Sequence, residues 1–208
     1  MSGPPPVRSE SWFVDEWNRE RTGFARFSAD HQMRYRLARA LIPQELAIDK
    51  FGPVTFLDPS IQVRRVVFVL LNPSLADAFK PDPTVTNCVK FAQHWGMNML
   101  EIVNLFAFRT PYPSVLKQRT EHVEMVGIDP VATDQILAAC VRADRVVGAW
   151  GNHGSLLSRD DYVRELLGKA NVQLHHLGLT NTGHPTHPAA RGKHRIPIDR
   201  EPTRWEWR

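Results

Sequence analysis

Residues 65–84, RVVFVLLNPSLADAFKPDPT, constrain this chain more than any other stretch. Residues 66–71 form an apolar run with no polar interruption, which reads as a strand buried on both faces, as in a parallel sheet. Asn72-Pro73-Ser74 follows at once. Pro73 has no amide to donate and biases Asn72 away from the helix, so the chain turns sharply at the carboxyl end of a central strand. In open α/β sheets, ligands bind at that edge. Asp82-Pro83 then reads as a helix start, with Asp as N-cap and Pro in the first helical position. Val85, Cys88, Val89, Phe91, Ala92 and Trp95 keep helical spacing until Gly96 ends it.

The same alternation repeats downstream. Residues 99–105 read as a second buried strand, which delivers Asn104 and Phe106. Asp129-Pro130 opens another helix, to about residue 143. Residues 145–150 form a third strand, followed by Gly151-Asn152-His153-Gly154. Ser158 with Asp161 resembles a capping box for a helix to about Lys169. Residues 172–177 form a fourth strand, followed by Gly183-His184-Pro185-Thr186-His187-Pro188. This order predicts an α/β fold, a single-domain three-layer sandwich around a mainly parallel four-stranded central sheet. Right-handed crossovers place all four carboxyl ends on one edge.

Residues 28–195 are the expected α/β domain. Residues 1–27 are an extension whose aromatics, Trp12, Phe13, Trp17, Phe24 and Phe27, pack on it as a layer, and residues 196–208 are a basic tail. Residues 28–41 read as a helix, with Arg34, Arg36 and Arg39 on a solvated face or with one of them returned to the cleft. Residues 54–57 suggest a short strand, and residues 112–127 a loop or short helix.

Composition excludes more than it selects. The net charge of +4 permits a polyanionic partner, and the excess falls late, in Arg191, Lys193, His194, Arg195, Arg200, Arg204 and Arg208. No apolar run approaches the ~18 residues of a membrane span. The start of the chain lacks a basic-then-apolar leader pattern, so a cytoplasmic protein with no membrane partner is expected. Cys88 and Cys140 read as reduced core thiols. Neither a dinucleotide-binding glycine fingerprint nor a P-loop occurs, and Ser74 lacks the glycines of a nucleophile elbow. No cofactor is implied.

The strand ends carry the candidate chemistry. Asn72 can read the polar edge of a base or tie its own Asn-Pro-Ser corner, with Pro73 and Ser74 beside it. Asp77 lies in the loop that follows and could position water, whereas Asp82 reads as a cap. Asn104 ends a buried strand and needs a partner. Phe106 and Phe108 could stack a base or fill the core. Trp150, Asn152 and His153 sit in a glycine-flanked turn that allows close backbone approach. His184 and His187 could stabilise charge on a departing base, or ligate a metal. Arg191, Lys193 and Arg195 are the expected phosphate ligands.

The segments RYRLAR, LLNPSLADAFKPDPT, FAQHWG, EIVNLFAFR, AWGNHG and GHPTHP, in that order across residues 28–188, resemble the bacterial and phage family called domain of unknown function 1643. The order of elements is more loosely similar to the uracil-DNA glycosylase superfamily. That resemblance implies Asn72-Pro73 in the water-activating loop, Asn104 at the base-reading strand end and His184 or His187 in the His-Pro loop. The first loop lacks the acid of that pattern, a place Asp77 fills only if the loop folds back. Ala189-Ala190, not Ser, follows His187-Pro188.

The expected function is therefore hydrolysis or transfer at an N-glycosidic bond, on a base in DNA or a nucleotide. Asp77, His184 and His187 would be catalytic, with no metal. One alternative is a non-catalytic nucleotide or nucleic-acid binding module on the same fold. Another is a metal-dependent hydrolase built on His184 and His187.

Overall fold

A computed structural model of the chain describes residues 13–50, 52–118 and 127–206. Readings that fall on residues 1–12, on 119–126 and on Arg208 lie outside the described residues. Ten strands and four α-helices are present among the described residues. The strands are β1 Phe13–Trp17, β2 Gly23–Ser28, β3 Arg34–Ala40, β4 Leu46–Asp49, β5 Gly52–Phe56, β6 Arg65–Leu70, β7 Met99–Asn104, β8 Arg145–Gly148, β9 Leu174–His176 and β10 Thr203–Arg204. The helices are α1 Pro83–His94, α2 Pro113–Gln118, α3 Pro130–Cys140 and α4 Arg159–Lys169.

The four expected parallel strands are there, but as the middle of a larger sheet. Its order is β1-β2-β3-β7-β6-β8-β9-β10, eight strands in all. The β7-β6-β8-β9 block is parallel, and antiparallel pairs extend it on both sides. Residues 13–28 thus supply two strands of the sheet itself, not a layer upon it. The basic tail contributes the edge strand β10 and seats Trp205 on the core. Separately, β4 and β5 form a hairpin.

Burial on β6 explains why the sheet has helices on both sides. Val66, Phe68 and Leu70 face one core cluster, with Val85, Cys88 and Phe91 of α1. Val67, Val69 and Leu71 face the other, with Ile136 and Cys140 of α3 and Val163 and Leu167 of α4. A strand apolar at every position has no face left for water, so both sides must be covered. Cys88 and Cys140 are free thiols in these two clusters, and burial pushes both pKa values up.

Two local expectations need correction. Residues 28–41 do not form a helix: Ser28 and Asp30 close a tight turn, and β3 pairs with β2 and β7. The strand won because the arginines are not solvated. Arg34 and Arg36 are buried on alternate positions with Ala38, which is the two-residue period of a sheet. Ser158 does not make a capping box. It adopts a left-handed conformation directly after Leu157, at φ 52° and 56°, with no side-chain cap bond. The acid that meets the first turn of α4 is Asp160, which accepts from the Asp161 amide at 3.0 Å.

Candidate functional site

The carboxyl edge of the parallel strands holds a cavity of about 440 Å³. That is within the ~300–1,000 Å³ usual for small-molecule sites. It draws its walls from five separate segments: Arg34 on β3, the β6 loop, the α1 start, the β7 loop and the β8 turn, with His187 closing one side.

The β6 loop is built by hydrogen bonds to the β7 loop. Asn72 donates its side-chain amide to Thr110 O at 2.8 Å and to Pro73 O at 3.1 Å, and Thr110 N–H donates to Pro73 O at 2.9 Å. The Asn72 amide hydrogens are thereby committed to the corner, and the residue still lines the cavity with Ser74. Asp77 turns away. Its Oδ1 accepts from Phe79 N and Lys80 N, both at 2.7 Å, so it shapes its own turn and does not line the cavity.

The acid in the cavity wall is Asp82. Its Oδ1 accepts from Val85 N at 2.8 Å, the expected N-cap. A carboxylate has two oxygens, so capping with one leaves the other available. Arg34 faces the same cavity. Its Nη1 donates to Ala76 O at 2.8 Å and Nη2 to Asn104 Oδ1 at 3.4 Å. Burial, against a smaller opposite pull from the Asp82 carboxylate, lowers the Arg34 pKa to about 9, so the guanidinium is charged at neutral pH.

Asn104 does not reach the cavity wall; it stands behind Arg34 and orients it. Arg34 Nε and Asn104 Nδ2 are buried without a hydrogen-bond partner among the described residues. So is Nε1 of Trp150, which lines the cavity. Buried donors without acceptors are expensive. Arg34 and Trp150 contribute to the cavity wall, with these particular donor atoms beneath its surface.

Glycine positions in the β8 turn follow from Trp150. A Cβ on Gly148 would come within 2.9 Å of the indole, and one on Gly154 within 2.0 Å. Both glycines are therefore room for the tryptophan, which also packs on Trp205 at 5.6 Å. Gly151 is different: its φ is +70°, and a Cβ there would meet nothing within 4 Å. Asn152 and His153 line the cavity beside it.

The two histidines of the GHPTHP segment part company. His184 Nδ1 lies 3.2 Å from Asp160 Oδ2 and does not line the cavity. His187 does. Pro188 O accepts from Asn87 Nδ2 of α1 at 3.1 Å, which holds the loop over the helix start. His187 Nδ1 accepts from Ala189 N at 3.2 Å, so the neutral ring carries its proton on Nε2. Burial lowers the His187 pKa from 6.5, against a smaller opposite pull from Asp82. Among the described residues, no group of three His, Cys, Asp or Glu side chains is placed to share a metal ion.

Other expected site residues divide likewise. Phe106 is fully buried in the core with Phe108 and stacks nothing in the cavity. Lys193 and Arg195 line a second cavity next to the first, which Arg191 does not. Arg34, one of the three arginines for which a solvated face or a return to the cleft was open, and Asp82, expected as a cap, are the charged groups of the site, and Thr84 and Thr110 add hydroxyls. The sequence signal for Asp82 was its place directly after the strand-end loop.

Histidine burial has a measurable consequence. Desolvation lowers the pKa of His153, His175, His176 and His187 below 6.5. The unfolded chain then binds more protons in the window beneath that value, so their contribution to stability is complete above 6.5 and is lost as pH falls below it. Thermal midpoints measured across pH should hold steady above about 7 and drop progressively below about 6.5. His187→Gln should flatten that acid limb.

A family model described as protein of unknown function (DUF1643) matches residues 55–189. No curated protein and no solved structure matches the chain.

Proposed function

The chain belongs to the DUF1643 family, and from its strand-end cavity we propose that it acts on a nucleobase, by hydrolysis or transfer at the N-glycosidic bond of a base in DNA or a nucleotide. The observation that carries this reading is the meeting of one carboxylate, one buried guanidinium and one neutral imidazole in a single cavity: Asp82, Arg34 and His187. A glycosidic bond breaks with its electron pair leaving on the base, so cationic character develops on the sugar and negative charge on the base. Asp82 faces the sugar, orients the attacking water and accepts its proton. Water oxygen bonds to C1′ as the C1′–N bond breaks. The departing base takes hydrogen bonds from Nε2–H of His187 and from Arg34, while its proton comes from solvent.

Asp82 thereby takes the role expected of Asp77, and it supplies the acid that the β6 loop lacks. The order of strands and loops supports a uracil-DNA-glycosylase-like arrangement as the finer description of the fold, with function argued from the site alone. The test is base release from modified and mismatched DNA, nucleosides and nucleotides, followed by chromatography of the free base. Release that depends on Asp82 is the expected result. Ligand binding without turnover on any of these substrates would replace the enzyme by a non-catalytic nucleotide-binding module.

A further inference from the structure

The second cavity, of about 480 Å³, opens on the other side of Gly151. Gly151, Asn152 and His187 line both cavities, so the two share one wall. That wall is low at its centre, because Gly151 presents no side chain and a Cβ there would project into open space. Lys193, His194, Arg195 and Arg200 line the second cavity, and no aspartate or glutamate does. None of these four forms an ion pair among the described residues. Clustered cations with no acid between them repel one another and favour a multivalent anion.

We propose that the second cavity is a phosphate subsite serving the same ligand as the first. The base sits against Trp150, Arg34 and His187, the sugar lies between Asp82 and Gly151, and a phosphate ester is held by Lys193, Arg195 and Arg200. The proposal rests on the nucleobase reading of the first cavity and narrows its substrate to phosphorylated nucleosides. Arg200 takes the place that sequence reasoning gave to Arg191, which is exposed and outside the cavity. The phosphate belongs either to a free nucleotide or to a polynucleotide backbone, and both present the same ester oxygens.

The experiment compares the full chain with Lys193→Gln/Arg195→Gln/Arg200→Gln. All three positions are exposed, so the variant should fold, and its thermal midpoint verifies that. Calorimetric titration with inorganic pyrophosphate reads the subsite alone. Base release from nucleosides, their 5′-monophosphates and short single-stranded oligonucleotides reads it in context. The wild type should bind pyrophosphate, with affinity falling as salt rises, and should prefer a phosphorylated substrate over the nucleoside by at least about tenfold in kcat/KM. The triple variant should lose both properties. A preference shared by the monophosphate identifies a free nucleotide; one confined to oligonucleotides identifies the backbone as the source.

Equal use of nucleosides and phosphorylated substrates, or a preference that survives in the triple variant, overturns the subsite and leaves the glycosidic reading intact. Pyrophosphate binding that the triple variant loses, with no base released from any substrate, keeps the subsite and removes the glycosidic reading. Absence of both pyrophosphate binding and a phosphate preference in the wild type overturns the proposal.

Discussion

Asp82→Asn should lower base release by about 10²–10⁴-fold, the usual contribution of a general acid or base, while the protein stays folded. The substitution separates two roles held by one side chain. Asn caps a helix about as well as Asp, so the bond from Val85 N at 2.8 Å has an acceptor in the variant. What disappears is the charge that faces the cavity and offsets Arg34. Because Asp82 is only half-buried and makes no direct ion pair with Arg34, the stability loss should stay near about 1 kcal/mol. Asp82→Ala removes cap and charge together and should cost roughly 1 kcal/mol more. Asp77→Asn is the contrasting variant: its Oδ1 serves its own turn, which an amide oxygen also serves, so base release should change little. Full activity in Asp82→Asn, or a collapse of activity in Asp77→Asn, would return the acid to the loop.

The parallel core was legible because β6 is apolar at every position after Arg65 and because Asp-Pro marks two helix starts. α1 and α3 both begin where those pairs stand, with Asp82 and Asp129 accepting from the amide three residues on. The convergence of the β6, β7 and β8 loops with His187 followed from topology alone. The rest depended on contacts between distant residues. Arg34 reaches the cavity only because its strand lies next to β7, a pairing that no local pattern announces. Asp82 looked finished as a cap, since spacing reveals one oxygen's partner and says nothing of the other. His184 and His187 are equivalent in sequence; what parts them is Asp160, which takes one imidazole at 3.2 Å. Phe106 follows Asn104 at the strand end, yet the apolar core claims it before any ligand can.

Glu101→Gln should destabilise the fold by about 3–5 kcal/mol, the largest stability effect among these substitutions. Glu101 is fully buried on β7, in a strand otherwise apolar but for Asn104. Its carboxylate lies between Arg36 Nε and Arg65 Nε, the latter at 3.0 Å. Arg36 is also fully buried, and Arg65 is 2% exposed, held further by Val54 O at 2.6 Å. Glutamine keeps the shape and removes the carboxylate charge that lies between two desolvated guanidinium groups. A domain of this kind has only about 5–15 kcal/mol of stability in total, so urea unfolding should show a much lower midpoint with little change in slope. The triple replacement Arg36→Met/Glu101→Leu/Arg65→Met should recover much of the loss, because removing all three charges also removes the cost of burying them. Recovery would assign Arg36 of β3 and Arg65 of β6 to the sheet, where one carboxylate in an apolar strand demands cations beside it. A Glu101→Gln midpoint within about 1 kcal/mol of wild type would instead place water, or another anion, beside those arginines.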